Sequence, residues 1–352
     1  MTLEACKQAI KPLCAHSMQE AYTYFSNLAI PLGSLGRLQD TIIQLAGVQR
    51  CVKPSIRQRT VAVFCADNGV VAQGVTQCGQ EVTAIVTENL NRAQTSVCRM
   101  AARIGVQVLP VDIGVARDIA GEQIMHRKIA YGTADMTKGA AMSRADCIRA
   151  IEVGIEMAEH CKRRGDQLTA VGEMGIGNTT TTSAVTAVLT GRAVHEVTGR
   201  GAGLSTEGLA RKVEAIRTAI ARNQPDAADP IDVLSKVGGF DLAGITGFYL
   251  GAAANGLPVV ADGVITAAAA LCAVRLCPTV RDYMVFSHAS QEPAGQILLD
   301  ALEAKPFITA GMRLGEGTGA VAAIALLDLA LSVYDEMPCF ADTAIPAYQP
   351  LT

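Results

Sequence analysis

The chain has 352 residues, half of them hydrophobic and 18% charged, and its net charge is −3. This near-neutral balance without a basic cluster argues against nucleic-acid binding, because phosphate neutralisation requires clustered lysines and arginines. The N-terminus has no basic leader followed by an apolar run, and the apolar segment ITAAAALCAVRLC is too short to span a bilayer. We therefore expect neither secretion nor membrane insertion.

The cysteines and histidines indicate no disulfide framework and no metal site. The eleven cysteines form no C-x-x-C pair, and their odd number in a long chain favours reduced thiols in a cytoplasm. The five histidines show no metal-binding spacing such as H-E-x-x-H. We expect no metal and no cofactor.

The predicted elements begin with helices and continue with strands that alternate with helices. Roughly the first 55 residues contain no buried strand run. Continuous apolar runs then recur, as expected for strands that are buried on both faces of a parallel sheet. They are RTVAVFCADNG, VQVLPVDIG, LTAVGEMGIGN, LPVVADG, DYMVFSHAS and KPFITAGMRLGEG. Segments between them that are rich in Ala, Leu and Glu predict helices, so we expect an α/β fold with a doubly wound, mostly parallel sheet.

The two ends of the chain are predicted to form a small helical domain. Residues after GAVAAIALLDLALSVYDEM form a loose tail behind a helix. We expect residues 1–55 and 325–352 to build this domain, and residues 56–324 to build a large α/β domain. In such a sheet, ligands bind beyond the carboxyl ends of the strands.

The segment VGEMGIGNTTTTSAVTAVL predicts a phosphate site at the start of a helix. Gly175, Gly177, Asn178 and Thr179 follow a strand, where glycines allow close approach and the helix N-terminus attracts an anion. An ordinary capped helix is the alternative. The loop lacks the lysine of G-x-x-x-x-G-K-[ST] and the third glycine of G-x-G-x-x-G, which argues against a nucleotide-binding kinase or dehydrogenase.

A second glycine-rich turn lies in TGRGAGLSTEGLARKVE and includes Gly203. Lys212 follows one helical stretch later. It could close over a phosphate as a point charge, or it could be a solvated residue on the helix surface, as most lysines are.

Two glutamates could supply acid–base chemistry at the predicted sheet edge. Glu173 ends one predicted strand, and Glu316 ends the last one, inside MRLGEGTGA with glycine on both sides. One carboxylate could accept a proton while the other stabilises positive charge on a ribose ring. The alternative is that each one caps a backbone N–H group. The flanking glycines favour a catalytic role for Glu316, since a cap does not need them.

Two further polar residues have roles that the sequence leaves open. Asn68 follows a predicted strand, where Asp and Asn often only form turns. His288 in SHAS could be a base, or a hydrogen-bonded structural histidine.

Several ordered motifs together resemble one known family. They are PLGSLGRLQDTIIQLAGVQ, CADNGV, QEVTAIVTENL, GEMGIGNTTTTSA, KVGGFDLAGITGFYLGAAANGLPVVADG, SHAS and MRLGEGTGA. With these motifs nearly the whole chain resembles the nicotinate-nucleotide:dimethylbenzimidazole phosphoribosyltransferases of cobamide (vitamin B12-type) synthesis.

The resemblance implies transfer of 5-phosphoribose from nicotinate mononucleotide to an aromatic acceptor, with release of nicotinate. The product would be an α-riboside phosphate. The resemblance also implies a doubly wound large domain, a small helical domain and an active site near a dimer interface.

The resemblance assigns a role to each matching residue. Glu316 would deprotonate the acceptor, and Glu173 would be the second carboxylate near the ribose. The phosphate would be bound by Gly175, Gly177, Asn178, Thr179, Lys212 and the turn around Gly203. Ser290 would lie on the wall of the acceptor pocket, with Leu314 next to the base.

The sequence departs from the family at positions that matter for the acceptor. Benzimidazole-using members carry serine at the position of Cys78 and glutamine at that of Val86, on or beside the acceptor pocket. Asn68 replaces a more usual histidine. The less polar pocket leaves the acceptor open between dimethylbenzimidazole and the phenol or p-cresol used by another branch, whose members pair with a paralogous chain.

The expected partners are therefore small molecules and a second subunit, identical or paralogous. One alternative is a non-catalytic paralogue that completes a partner's site. Retention of both Glu173 and Glu316 argues against it.

Overall fold

The structure is a computed structural model and describes residues 1–348. Its centre is a six-stranded sheet in which every pair of neighbours is parallel. The strands are β1 (Arg59–Ala66), β2 (Gln107–Gly114), β3 (Met125–His126), β4 (Leu168–Met174), β5 (Val259–Ala261) and β6 (Met284–Phe286), in the order β3-β2-β1-β4-β5-β6. The predicted α/β class with a parallel sheet is confirmed.

Fourteen α-helices surround this sheet among the described residues. Before β1 come α1 (Leu3–Ala9), α2 (Ala15–Asn27) and α3 (Arg37–Gln49). The central helices are α4 (Glu81–Asn91), α5 (Ser96–Ile104), α6 (Arg144–Arg163), α7 (Asn178–Thr190), α8 (Val194–Val197), α9 (Thr206–Asn223), α10 (Pro230–Val237) and α11 (Phe240–Ala254). The last three are α12 (Val264–Leu276), α13 (Ala294–Ala301) and α14 (Thr318–Glu336).

Strand β1 shows why the apolar runs are continuous. Successive side chains of a strand point to opposite faces of the sheet. Val61 and Val63 belong to one hydrophobic cluster, whereas Ala62 and Phe64 belong to another. Helices cover both faces, so a polar side chain in this strand is buried and needs a hydrogen-bond partner, as Thr60 has in Asp166.

One predicted strand does not form. The run KPFITAGMRLGEG contributes a single parallel bridge between Ile308 and His288 and then continues as an irregular segment. Gly311 and Gly315 have positive φ angles in it, which breaks extended pairing. Glu316 therefore lies in a loop that leads into α14, not at the end of a strand. Strand β3 is absent from the sequence prediction, because two residues form no apolar run.

Helix α14 passes continuously through the proposed domain boundary at residue 325. It packs on α3 at one side and on α5, β4 and β5 at the other. The division into two domains stays a prediction, and residues 349–352 of the second segment lie outside the described residues. By length and composition, α14 alone among the described helices could cross a membrane, but 56% of its most apolar window is buried in the fold, as in a core helix.

Strands β1 and β4 are neighbours at the middle of the sheet, and from this point β2 and β3 are added on one side and β5 and β6 on the other. In doubly wound sheets this point opens a crevice at the carboxyl ends of the strands. Asp67 and Asn68 follow β1 there, and Gly175 follows β4.

Candidate active site

A cavity of about 200 Å³ lies at the carboxyl ends of β4, β5 and β6. The predicted site residues that line it are Glu173, Gly175, Asn178, Thr179, Ser290 and Leu314. A larger cleft of about 630 Å³ lies at the opposite edge, near the residues that precede β4 and β5, and contains none of the predicted site residues. The fold thus gathers half of the predicted set at one place.

The loop before α7 approaches the end of β1 too closely for side chains. A Cβ atom at Gly175 would clash with the Ala66 carbonyl oxygen, and one at Gly177 would lie 2.8 Å from Val71 Cγ2. Gly177 is also the residue before the helix, with a φ of 94°. Packing therefore explains both glycines, and the phosphate interpretation has to rest on other groups.

Lys212 is that other group. It is 1% exposed, and its Nζ donates to Thr179 Oγ1 at 2.8 Å and to the Gly199 carbonyl at 3.2 Å. No carboxylate within residues 1–348 forms an ion pair with it. Burial lowers its pKa to about 8. The interpretation of Lys212 as a solvated surface residue is wrong.

In the glycine-rich turn before α9, Gly201 lies close to Lys212, whereas Gly203 contacts Gln77. A Cβ atom at Gly201 would lie 3.0 Å from Thr179 Oγ1 and 3.5 Å from Lys212 Nζ. Gly203 has a φ of 103°, and its carbonyl accepts a hydrogen bond from the Gln77 side chain. The turn therefore forms one wall of a cradle whose base is the N-terminus of α7.

Glu173 is buried at the end of β4, where the Asn178 side chain donates to its carboxylate. Burial, together with the nearby Asp241 and Asp262, raises the pKa of Glu173 well above its usual value. A positive charge placed beside such a buried acid stabilises its ionised form strongly, because little water is present to do so. Besides the Asn178 amide, the backbone N–H group of Glu316 also lowers the pKa of Glu173 by hydrogen bonding, so the capping alternative stays open for Glu173.

Asp262, which lines the cavity, and the buried Asp241, whose charge acts on Glu173, are acids that the sequence reasoning misses. Burial raises the pKa of each to about 7. Asp262 follows β5 in the sequence VVADG and lines the cavity, so its position at the carboxyl end of a buried strand was the available signal. Asp241 lies in the first turn of α11, where no strand pattern marks it.

Glu316 lies beside the cavity but does not line it. It follows Gly315, which does, and its own φ is 60°. Its Oε2 accepts a hydrogen bond from Val97 N–H at 3.0 Å, at the N-terminus of α5. In this structure the carboxylate therefore caps a backbone N–H group, which is the alternative to the catalytic interpretation.

Cys78 and Val86 also lie outside the cavity lining, on the side of α4. Helix α4 is nevertheless connected to the phosphate loop, because Ile176 N–H donates to Thr83 Oγ1 at 3.0 Å. A ligand between α4 and this loop would contact both.

The two residues with open roles have different surroundings. His288 lines the cavity, with its Nδ1 3.0 Å from Ser287 Oγ, and burial lowers its pKa. Asn68 is fully buried, and neither atom of its side-chain amide has a hydrogen-bond partner in residues 1–348. One oxygen of the neighbouring Asp241 is also without a partner in that part of the chain.

The described part of the chain contains no group of three or more His, Cys, Asp or Glu residues arranged to hold a metal ion. All eleven cysteines are free thiols.

Comparison with known proteins connects this chain to one family. A family model described as Phosphoribosyltransferase (DBI_PRT) matches residues 10–345. The nicotinate-nucleotide–dimethylbenzimidazole phosphoribosyltransferase of Ruminiclostridium cellulolyticum is 45% identical over the full length of both chains. That of Acetivibrio thermocellus is 46% identical over 97% of this chain and 98% of its own. The crystal structure of CobT from Thermus thermophilus superposes with a TM-score of 0.88 at 37% identity, over 93% of this chain and 98% of its own.

Proposed function

Because the chain belongs to the DBI_PRT phosphoribosyltransferase family and is a nicotinate-nucleotide-dependent enzyme of cobamide lower-ligand activation, we propose that it transfers 5-phosphoribose to a flat aromatic acceptor. The products are nicotinate and an α-riboside phosphate. The observation that carries this proposal is Lys212, a buried ammonium group that has no carboxylate partner within residues 1–348, beside the N-terminus of α7.

The phosphate occupies the cradle between α7 and the Gly201 turn. A phosphate there receives charge-assisted hydrogen bonds from Lys212 and bonds from Thr179 Oγ1 and the first N–H groups of α7. Binding replaces a buried, unpaired charge with a paired one. This fixes the sugar and presents its anomeric carbon to the cavity.

The ribose lies against Glu173. In nicotinate mononucleotide the ring nitrogen that leaves is already positively charged, so bond cleavage leaves neutral pyridine nitrogen and moves positive charge to the sugar. Glu173 is buried near other acids, which raises its pKa. Positive charge that develops on the sugar beside it lowers this pKa and stabilises the ionised carboxylate, which in turn stabilises the cation. The leaving group then needs no added proton.

Glu316 is the base that takes the proton of the acceptor. Its carboxylate turns from Val97 N–H toward the acceptor by rotation of its own side chain, while its backbone stays next to Gly315 at the cavity rim. The acceptor nitrogen or oxygen loses a proton to Glu316 and bonds to the anomeric carbon. Ser290 and the 58% exposed Leu314 form the wall over the flat ring.

Two acceptor classes fit the sequence. Dimethylbenzimidazole is favoured because the relatives at 45% and 46% identity are named for it. Phenol or p-cresol is favoured by Cys78 and Val86, which replace polar residues beside α4. The same glutamate can deprotonate an N–H or an O–H group.

The second subunit is a further part of the proposal. We place the enzyme in the cytoplasm as a dimer, with a partner that is either identical or paralogous. A non-catalytic paralogue that only completes a partner's site is the competing function.

To test the proposal, the purified chain is incubated with nicotinate mononucleotide and a mixture of dimethylbenzimidazole, adenine, phenol and p-cresol. Each riboside that forms is identified by mass spectrometry. Nicotinate release with formation of an N- or O-riboside phosphate supports the proposal and identifies the acceptor. Activity of the chain alone excludes the non-catalytic alternative. Absence of any riboside, with nucleotide bound, would support that alternative.

A further inference from the structure

Asp262 binds the start of α14 through three backbone N–H groups. Its Oδ1 accepts from Gly319 N–H at 2.7 Å and from Ala320 N–H at 3.1 Å, and its Oδ2 accepts from Gly317 N–H at 3.2 Å. Asp262 is 4% exposed. The first two bonds cap the helix. The third reaches a residue before the helix, next to Glu316.

The backbone at Glu316 is in an uncommon conformation. Gly315, Glu316 and Gly317 all have positive φ angles, of 87°, 60° and 93°. Glycine adopts such angles freely, but a residue with a Cβ atom is strained there and persists only when its surroundings hold it. Something must therefore hold Glu316 in place.

The neighbouring strands β1 and β4 supply one side of that hold. A Cβ atom at Gly172 would clash with the Glu316 carbonyl, and one at Gly317 would lie 2.7 Å from Val61 Cγ2. Packing therefore fixes how close the loop lies to the sheet. The peptide between Glu316 and Gly317 itself packs closely over Gly172, and the hydrogen bond from its N–H group to Asp262 adds a directional contact to this packing.

We propose that Asp262 is a positioning residue for the reaction, which holds Glu316 in its left-handed conformation by binding Gly317 N–H, separately from its role as the cap of α14. The inference rests on the proposed function, in which Glu316 is the base. Without the Gly317 bond the peptide relaxes, the Glu316 side chain no longer reaches the acceptor when it turns away from Val97 N–H, and the reaction slows although the substrates still bind.

The division of the three bonds between two oxygens allows a selective variant. In Asp262→Asn, the amide oxygen still accepts from Gly319 and Ala320, and Asn is a good helix cap. The amide nitrogen then faces Gly317 N–H, donor against donor, so that bond is the one hydrogen bond lost, together with the negative charge that Asp262 places near Glu173. Ser143→Ala is the matched control, because it removes a side-chain cap of α6 (bonded to Asp146 N–H at 3.0 Å) far from the loop.

A double-mutant cycle separates positioning from general structural damage. We expect Asp262→Asn to lower kcat about 10- to 100-fold, as misplacement of a catalytic group does, with the KM for nicotinate mononucleotide unchanged within about threefold. In a Glu316→Gln background the same change should have little further effect, since the base is already absent. Equal losses in both backgrounds, or no loss in the single variant, would overturn the proposal.

Amide hydrogen exchange tests the same contact without activity. In Asp262→Asn, Gly317 N–H should lose its protection while Gly319 and Ala320 keep theirs, and Ser143→Ala should change none of them. Retained protection at Gly317 would overturn the proposal. If Glu316→Gln keeps full activity, the base assignment of the proposed function fails instead, and the exchange result alone decides whether Asp262 holds the loop.

Discussion

Lys212 Nζ lies 2.8 Å from Thr179 Oγ1, which joins the buried face of α9 to the first turn of α7. Both groups are polar, and the lysine is enclosed by protein; the nearby Glu292 carboxylate acts on its charge but forms no ion pair with it among residues 1–348. A buried ammonium group in this state is destabilising unless a ligand supplies the opposite charge. We therefore propose that an anion binds beside this pair.

Lys212→Met should weaken binding of nicotinate mononucleotide while leaving the fold intact. Methionine keeps the length of the side chain and removes the charge, and a hydrogen bond to a charged group contributes about 1.5–3 kcal/mol. We expect the KM or Kd to rise about 10- to 100-fold. Nicotinate riboside, which lacks the phosphate, should bind the two proteins equally. Lys162→Met, at an exposed lysine, is the control, and equal weakening with both ligands would contradict the assignment.

Nucleotide affinity should fall as the pH rises above about 8. The pKa of Lys212 is lowered to about 8 by burial, and a bound phosphate raises it because the anion favours the charged form. The phosphate itself is a dianion throughout this range, since its second pKa is about 6. Titration calorimetry from pH 7 to 9.5 should show Kd increasing toward a limit of tenfold per pH unit above about 8. In Lys212→Met this dependence should disappear; an unchanged slope there would assign the titration to another group.

Gly247→Ala should destabilise the core by overpacking. A Cβ atom at Gly247 in α11 would clash with the Ile151 carbonyl of α6, which is backbone and cannot rotate away. Overpacking of this kind lowers the free energy of unfolding by about 1–3 kcal/mol. Gly139→Ala is the matched control, since a Cβ atom there meets nothing within 4 Å. Denaturant melts that gave the same loss for both variants would show that α6 and α11 are not in close contact.

The sequence predicts the frame of the fold better than its site. Strands such as β1 are buried on both faces, so their residues are apolar without interruption. The segment before Glu316 also contains apolar residues, but it is largely exposed, and its backbone turns at Gly311. The hydrophobic pattern of the sequence does not reveal either property.

The side chains that matter most depend on contacts distant in sequence. The sequence analysis leaves open the interpretation that Lys212 is solvated. In the structure Lys212 lies on the buried face of α9 together with Gly208, Ala215, Ile216 and Ala219. The helical spacing of these small and apolar residues around position 212 is the sequence signal that indicates a buried lysine. Asp262 acts through residues more than fifty positions later, so only the fold reveals its partners.

The effect of Glu316→Gln on the turnover rate tests most directly whether Glu316 takes the proton of the acceptor. Glutamine keeps an oxygen for Val97 N–H and the shape of the side chain, but it cannot take a proton at neutral pH. Steady-state nicotinate release with saturating acceptor should show kcat lowered about 10²- to 10⁴-fold with the KM for nicotinate mononucleotide retained. Glu214→Gln, at an exposed glutamate of α9, should leave kcat unchanged. Full activity of Glu316→Gln would contradict the account, because the proton of the acceptor would then leave by another route.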